Sequence, residues 1–258
     1  MRLIGGAIFI LIAIIAAIIF LFPEPEGFPI LEYHQVTDEV FDPDFEVYNV
    51  PPEEFAAQLD YLQAEGYTTI TLQDFMRVVH GKGELPAKPI VLTFDDGYAD
   101  NYKTMLPILE AHSMTAVVYA ITNELGKKNY MTLDELKDMQ RRGIEIGSHT
   151  ADHLPLTSLD ATTLRRQIHD SKIFLEWSGL QTIYSLSYPN GAFNSEIEKI
   201  LREENYLTAV TGEAGLNTLA TNPYELYRVH IRKPRFGLTE FKFRLWKANF
   251  FAKLRNIF

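Results

Sequence analysis

The sequence predicts one α/β domain built on a parallel sheet, preceded by a separate apolar segment at the N-terminus. Short apolar runs typical of buried strands alternate with helical patterns along most of the chain, and such alternation implies parallel strands. With 258 residues the chain is long enough for one sizeable core, and a barrel-like α/β domain fits that length. The alternation alone is compatible with an open sheet and with a closed barrel.

The N-terminal segment is an uninterrupted run of twenty apolar or glycine residues, Leu3–Phe22. About 20 such residues span the hydrocarbon core of a bilayer, whereas a secretory signal has a shorter apolar stretch before a small-residue cleavage site. The run contains no Ala-x-Ala sequence and no cysteine, and Arg2 favours a cytoplasmic N-terminus. We therefore predict an uncleaved signal anchor, a transmembrane helix over residues 1–22, that holds the domain outside the cytoplasm; cleavage after the run is the alternative. Residues 23–27 then form a short, stiff tether.

Eight apolar runs after the tether predict buried strands. They are Pro29–Tyr33, Thr68–Thr71, Ile90–Phe94, Thr115–Ile121, Ile144–Ser148, Thr182–Tyr188, Leu207–Thr211 and Leu226–Ile231. Between them, one helix begins at Pro52 and ends before Gly66, and a second has a capping-box pattern of Thr132 with Glu135 and stops at Gly143. A third, longer helix is predicted by apolar positions that share one face: Leu164, Ile168 and Leu175.

The last twenty residues differ from the rest of the chain in charge. They hold five Lys or Arg and one Glu, a local charge of +4, so the preceding residues carry −14 and the whole chain −10. Apolar residues recur there at helical spacing: Phe243, Trp246, Phe250, Leu254 and Ile257. We predict a basic amphipathic helix over residues 239–258, with two interpretations open. It lies in a membrane interface, or it packs on the barrel with a solvated basic face.

The composition argues against two classes of function. A net charge of −10 disfavours nucleic acid as a partner, because neutralising phosphates requires a basic surface. The absence of cysteine excludes disulfides and thiolate chemistry, and it suits an extracytoplasmic protein.

Polar residues suited to metal binding follow two of the predicted strands. Thr93–Gly97 reads Thr-Phe-Asp-Asp-Gly, and His149–His153 reads His-Thr-Ala-Asp-His. Two imidazoles and one carboxylate can hold a divalent ion with an open position, and the other carboxylate remains as a base. Each motif alone has a plain explanation, a turn for the first and a helix surface for the second. Their joint occurrence at the carboxyl ends of buried strands, where α/β folds place their chemistry, favours a metal hydrolase.

Together with Ser187–Gly191 (Ser-Tyr-Pro-Asn-Gly), these motifs resemble those of the polysaccharide deacetylases of carbohydrate esterase family 4. The earlier segments Phe28–Val36 and Pro52–Asp60 resemble the branch of that family that includes poly-N-acetylglucosamine deacetylases. The resemblance covers Phe28–Lys233, nearly all of the chain outside its two ends. It implies a distorted, incomplete (β/α) barrel, and we place the deacetylase domain over residues 28–238.

The resemblance also implies a metal site. Asp96, His149 and His153 would bind one divalent ion and leave its remaining positions for water and substrate. Zinc suits two imidazoles and one carboxylate with an open position, and cobalt, nickel and iron stay open.

Asp95 would be the general base that takes a proton from the attacking water. Many family members carry an arginine just before the proline of the third motif, where it pairs with this aspartate; here the position is Ser187. Either the pKa of Asp95 is therefore less well suited to a base, or another group adjusts that pKa. A backbone N–H of the third motif would add a donor to the oxyanion, from a loop with three candidate residues: Tyr188, Pro189 and Asn190.

Two histidines compete for the role of the acid that protonates the leaving amine. His34 directly follows a predicted strand, which would place it on the same rim as the metal. His230 lies in the last predicted strand, where the wider family carries a histidine in its final motif. We favour His34 slightly, because its Tyr-His-x-Val surroundings resemble the poly-N-acetylglucosamine branch.

The function that the resemblance implies is metal-dependent removal of N-acetyl groups from an N-acetylglucosamine polymer at the cell surface. Poly-N-acetylglucosamine-type exopolysaccharide and peptidoglycan are the two candidate substrates. An O-acetyl esterase acting on another polysaccharide and a non-catalytic glycan-binding scaffold are the alternatives. Surface for stacking on sugar rings would come from tyrosines: Tyr33, Tyr98, Tyr102, Tyr130 and Tyr188.

Overall fold

The computed structural model describes residues 27–41 and 43–255, with side chains as far as residue 252. The predicted signal anchor over residues 1–22 and almost all of the tether lie outside these residues. Across the ranges that are described, no helix is both long enough and apolar enough to cross a membrane.

The strands form a parallel sheet that contains all eight predicted strands. In chain order the strands are β1 Ile30–Tyr33, β2 Gln35–Val36, β3 Asn49–Val50, β4 Thr68–Thr69, β5 Pro89–Phe94, β6 Val117–Ala120, β7 Glu145–Ser148, β8 Ser185–Ser187, β9 Thr208–Val210 and β10 Val229–His230. The main sheet has the order β10–β1–β5–β6–β7–β8–β9, and β4 pairs with the start of β5. The short strands β2 and β3, which were not predicted, form a separate parallel pair.

The sheet bends into a barrel wall whose two edge strands, β9 and β10, are not paired along their length within the described chain. One parallel bridge joins Val210 at the end of β9 to Leu226, and the Nε atom of Arg228 donates to the carbonyl oxygen of Thr211 at 2.9 Å. The segment before β10 therefore ties the two edges together with few backbone bonds. The prediction of a distorted, incomplete (β/α) barrel is confirmed.

Helices connect the strands, as expected for parallel neighbours. They are α1 Pro52–Ala64, α2 Leu72–Val79, α3 Leu106–Ala111, α4 Leu133–Arg141, α5 Ala161–Trp177, α6 Ser195–Glu203 and α7 Leu238–Arg255. The three helices predicted with clear signals correspond to α1, α4 and α5. The capping box before α4 is present, because the backbone N–H of Thr132 donates to the Glu135 carboxylate and Thr132 Oγ1 accepts from the Glu135 N–H.

The carboxyl ends of the strands collect the residues singled out by the sequence. His34 directly follows β1, Asp95 follows β5, His149 follows β7 and Tyr188 follows β8. Because these strands are parallel, all four positions lie at the same edge of the barrel.

The C-terminal helix α7 packs on the barrel through one of its faces. Phe241 and Leu245 are buried, and the Phe241 ring meets Tyr61 of α1 edge-on at 6.1 Å. Phe243 and Trp246 are exposed on another face of the same helix. The interpretation that this helix packs on the barrel therefore accounts for one of its faces and leaves the exposed aromatic face unexplained.

Candidate metal centre and catalytic pocket

The turn after β5 separates the two adjacent carboxylates. The backbone N–H of Asp95 donates to the carbonyl oxygen of Tyr33, whereas Asp96 has a φ of 74° and Gly97 a φ of 81°. Positive φ is uncommon for a residue other than glycine and persists where the surroundings enforce it, often at functional sites. The reversal brings Asp96 beside the two motif histidines and leaves Asp95 at the end of the barrel interior.

Asp96, His149 and His153 form a three-residue cluster that could hold a divalent cation. Oδ1 of Asp96 lies 3.5 Å from Nε2 of His149 and 3.8 Å from Nε2 of His153. Two ligands of a tetrahedral zinc ion, each about 2.1 Å from the metal, lie about 3.4 Å apart, so the observed spacings fit one shared ion. The structure thus brings together the three residues that were predicted as ligands.

A hydrogen bond fixes the imidazole of His149. Its Nδ1 atom lies 2.8 Å from the carbonyl oxygen of Ser187, which can only accept, so Nδ1 carries the proton and Nε2 keeps its lone pair. Burial lowers the pKa of His153. Both effects favour the neutral imidazole that a metal ligand must be.

The guanidinium of Arg228 holds Asp95 in the barrel interior. Nη1 of Arg228 lies 2.9 Å from Oδ1 of Asp95, and Ser187 Oγ donates to Oδ2 of Asp95 at 3.0 Å. Burial is the largest single effect and raises the pKa of Asp95, but the charges around it, of which that of Arg228 is the largest, and the hydrogen bond from Arg228 together hold the net pKa well below the ordinary value of 3.8. Of the two alternatives for Asp95, the structure favours the second, in which another group, here Arg228, adjusts the pKa of the carboxylate.

The sequence analysis missed Arg228 as a part of the site. It lies two residues before His230 in a predicted strand, and residues two apart share one face of a strand. Because His230 was already a candidate, the two-residue spacing could have indicated Arg228 as a second residue on the same face of the strand.

Glu32 is the second carboxylate that Arg228 contacts. Its Oε2 atom lies 3.0 Å from Nη2 of Arg228, and its Oε1 atom lies 2.9 Å from Nδ1 of His230. Burial raises the pKa of Glu32, whereas Arg228 and His230 lower it to a net value below the ordinary one. Glu32, His34 and Asp95 lie close enough together to hold a cation. The guanidinium already supplies that positive charge, so we interpret the group as an ion-pair network.

The two candidates for the general acid have different surroundings. Both ring nitrogens of His230 bind protein groups, Nδ1 the Glu32 carboxylate and Nε2 the carbonyl oxygen of Gly212 at 2.9 Å. The hydrogen bond to Glu32 raises the pKa of His230 against the effect of burial, which favours an imidazolium with both N–H groups engaged. His34 lies beside Tyr48 with ring centroids 4.5 Å apart, and its Nδ1 atom finds no hydrogen-bond partner among the described residues. Of the two rings, His34 is the one that lines the pocket without both of its nitrogens being engaged by protein groups.

The loop Tyr188–Gly191 borders the same pocket. The Tyr188 N–H donates to β9, the Gly191 N–H donates to the Tyr188 carbonyl oxygen, and Pro189 has no N–H. The N–H of Asn190 has no acceptor in the part of the chain that the structure describes. Asn190 is therefore the residue of the predicted oxyanion loop that retains a free backbone donor.

A pocket of about 290 Å³ opens at this edge of the barrel, near the small end of ligand pockets, which span about 300–1,000 Å³. Phe45, 51% exposed, and Tyr48 lie in its wall, and the guanidinium of Arg232 lies 5.7 Å from the centroid of the Tyr48 ring. Of the tyrosines proposed for sugar stacking, Tyr33 and Tyr188 are wholly buried, so the prediction is wrong for these two. Their rings pack in the barrel core because apolar stacking partners lie beside them there.

Comparison with known proteins identifies the family. The model of the polysaccharide deacetylase family matches residues 82–209. This range includes Asp95 and the three residues of the candidate metal cluster, Asp96, His149 and His153. YxkH of Bacillus subtilis (strain 168), named as an inferred polysaccharide deacetylase, is 32% identical over 208 residues, 81% of this chain and 72% of that protein. Poly-beta-1,6-N-acetyl-D-glucosamine N-deacetylase of Staphylococcus aureus (strain N315) is 24% identical over 203 residues, 73% of this chain and 70% of that protein.

Among solved structures, the deacetylase PplD of Streptococcus pyogenes in complex with acetate superposes with a TM-score of 0.77. It is 27% identical, and the match covers 87% of this chain and 99% of that chain. The fold thus agrees with the sequence relationships. The chain belongs to the polysaccharide deacetylase family and is a deacetylase of the hydrolase class.

Proposed function

We propose that this protein uses a divalent metal ion to hydrolyse N-acetyl groups on N-acetylglucosamine residues of a polysaccharide outside the cytoplasm. The observation that carries the proposal is the ionised Asp95 held beside the Asp96, His149 and His153 cluster. A base and a cation site a few ångströms apart are what hydrolysis of an unreactive amide requires.

Asp96, His149 and His153 would hold the ion, with zinc as the first expectation and cobalt, nickel or iron as alternatives. When bound, such an ion acts as a Lewis acid that polarises a carbonyl and lowers the pKa of water. The spacing of the three ligand atoms and the fixed tautomer of His149 support this assignment.

The remaining steps fall to groups around the pocket. Asp95 accepts a proton from the attacking water, and Arg228 keeps that carboxylate ionised beforehand. The free N–H of Asn190 donates to the oxyanion that forms from the acetamide carbonyl. His34 then protonates the leaving amine, whereas His230 holds Glu32 and Gly212 and acts through that network.

The substrate class follows from the pocket and from the relatives. A space of about 290 Å³ suits one sugar residue, and the ring of Phe45 offers an apolar face on which a pyranose can lie. The Staphylococcus aureus relative is named for poly-β-1,6-N-acetyl-D-glucosamine. We therefore place a poly-N-acetylglucosamine-type exopolysaccharide first and peptidoglycan second. The predicted signal anchor of residues 1–22 would hold the enzyme at the cell membrane, near such polymers.

Acetate release by the full-length chain in detergent tests this proposal. The protein is stripped with a chelator, reloaded with zinc or cobalt, and incubated with β-1,6-linked N-acetylglucosamine oligomers, peptidoglycan or O-acetylated xylan. Metal-dependent acetate from an N-acetylated polymer, absent in Asp95→Asn, is the expected result. Acetate from the xylan alone would favour the O-acetyl esterase. Folded, metal-loaded protein that releases no acetate from any of the three would favour the glycan-binding scaffold and contradict the proposal.

A further inference from the structure

The helix α7 carries a row of three stacked aromatic rings, of which two are exposed and one is partly buried. Phe243 and Trp246 stack with ring centroids 5.6 Å apart, and Trp246 and Phe250 stack at 5.1 Å. Phe243 is 57% exposed and Trp246 is 40% exposed. We call these three residues the aromatic row. Such large apolar surfaces are rarely left in contiguous contact with water unless they meet a partner.

The aromatic row lies opposite the face that packs on the barrel. With 3.6 residues per turn, successive residues are about 100° apart, which places the centre of the row about 170° around the helix from the buried Phe241 and about 130° from the buried Leu245. The helix is therefore apolar on two opposite sides. The barrel covers one side, and nothing in the described chain covers the other.

Basic side chains border the row on both sides. Lys242 and Lys247 lie about 70° to either side of its centre by the same geometry. Long basic side chains in this position can reach outward while their stems cover apolar surface. The last twenty residues carry +4, whereas the preceding residues carry −14, so this segment is net positive on a chain that is otherwise net negative.

The direction of α7 shows towards which edge of the barrel the aromatic row extends. Gly237 lies beside Glu54 near the start of α1, and Phe241 contacts Tyr61 near its end, so the two helices run in the same direction. The chain passes through α1 from the pocket edge of the barrel back to the start of β4 at the opposite edge. The C-terminal part of α7 therefore approaches the edge at which β1 begins, shortly after the apolar run of residues 3–22.

We propose that the aromatic row of α7, with Lys242 and Lys247, binds the surface of a bilayer that contains anionic lipid. Aromatic rings inserted at the boundary of headgroups and acyl chains, flanked by lysines, are the usual arrangement of an interfacial helix. A second copy of the chain fits this surface less well, because a symmetric contact would bring the lysines of both copies together. The contact would lie along the side of the barrel and leave the pocket edge open to polymer.

Tryptophan fluorescence can test this, because the chain holds two tryptophans, Trp177 and Trp246. The full-length chain carrying Trp177→Phe is reconstituted into vesicles of phosphatidylcholine, with or without about one third phosphatidylglycerol. Lipids brominated near the headgroup end of their acyl chains serve as the quencher. The matched control is Trp246→Phe, which leaves Trp177, 84% exposed on α5, as the reporter.

We expect brominated anionic vesicles to reduce the emission of Trp246 by about two-fold or more, and that of Trp177 little, because interfacial helices sit about 5–10 Å deep. Lys242→Glu combined with Lys247→Glu should restore most of the emission. Quenching of Trp246 no stronger than that of Trp177 would overturn the proposal. Equal quenching of Trp246 in neutral vesicles would also overturn it. The same holds if the emission of Trp246 is not quenched and two copies of the chain cross-link through residue 246. None of these readouts depends on deacetylase activity.

Discussion

Nη1 of Arg228 lies 2.9 Å from Oδ1 of Asp95, although the two residues are 133 positions apart in the chain. The same guanidinium reaches Glu32 at 3.0 Å and the carbonyl oxygen of Thr211 at 2.9 Å. One arginine directly before β10 thus pairs with two buried carboxylates and ties the open side of the barrel. It supplies beside Asp95, the proposed base, the positive charge that Ser187 does not carry.

Arg228→Met should destabilise the protein strongly. The variant would leave Glu32 and Asp95 buried without their common cation, and breaking a buried ion pair in this way costs about 3–5 kcal/mol. The free energy of unfolding in urea, measured near pH 7, checks this. Arg232→Met is the matched control, because Arg232 is exposed, and it should cost less than about 1 kcal/mol. Similar losses in both variants would show that Arg228 is not the electrostatic centre of the network.

The sequence predicted most of the barrel because its strands are short apolar runs and its helices carry capping signals, as at Thr132 and Glu135. It also predicted the metal cluster, since Asp96, His149 and His153 lie in compact local motifs. The contacts of Arg228 could not be derived in the same way. They depend on how the chain returns across the open side of the barrel, and no local pattern records that path. The aromatic wall at Phe45 was missed for a similar reason, because it lies on an irregular segment between two short strands.

Asp95→Asn should separate catalysis from metal binding. An amide cannot accept the proton of water as a carboxylate does, so turnover should fall at least about 10²-fold. Asp96 and the two histidines remain, and the metal content should stay near one ion per chain. His149→Ala should lose both metal and activity. The ratio of metal to protein after dialysis, with acetate release on the same samples, checks the pair. Loss of metal in Asp95→Asn would place Asp95 among the ligands.

His34→Gln should lower kcat by about 10²–10⁴-fold, the usual contribution of a general acid, with little change in unfolding free energy. His230→Gln should act differently, because the ring of His230 binds Glu32 and Gly212. We expect a loss of stability and a smaller loss of kcat. Steady-state kinetics and urea unfolding on both variants distinguish the two roles. A larger fall in kcat for a well-folded His230→Gln would assign the acid to His230.

Phe45→Ala should weaken substrate binding more than it slows chemistry. A half-exposed phenylalanine that covers one face of a sugar ring contributes about 1 kcal/mol, which corresponds to about a fivefold rise in KM. Phe41→Ala is the matched control, since Phe41 is exposed on the same segment but does not line the pocket. Its KM should stay unchanged. Equal effects of the two substitutions would mean that the segment, and not the ring at position 45, contacts the polymer.

Glu145 gives the fold a dependence on pH that is separate from the active site. It lies at the start of β7, where its carboxylate accepts from the backbone N–H of Gln73 and from Ser185 Oγ, both at 3.0 Å. Burial raises the pKa of Glu145 from 4.5 to about 7 despite these hydrogen bonds. Between those values the folded chain binds more protons at this site than the unfolded chain does. Its contribution to stability is therefore complete below pH 4.5 and is lost as the pH rises through 7.

Glu145→Gln removes this titration and keeps a neutral side chain of the same size. The free energy of unfolding of the wild type, relative to the variant, should fall by about 3 kcal/mol between pH 4 and pH 8. Urea unfolding at four or five pH values checks this, and all other titrating groups cancel because both proteins contain them. Curves that stay parallel across this range would mean that the pKa of Glu145 is the same in the folded and the unfolded chain, in which case its hydrogen bonds offset the effect of its burial.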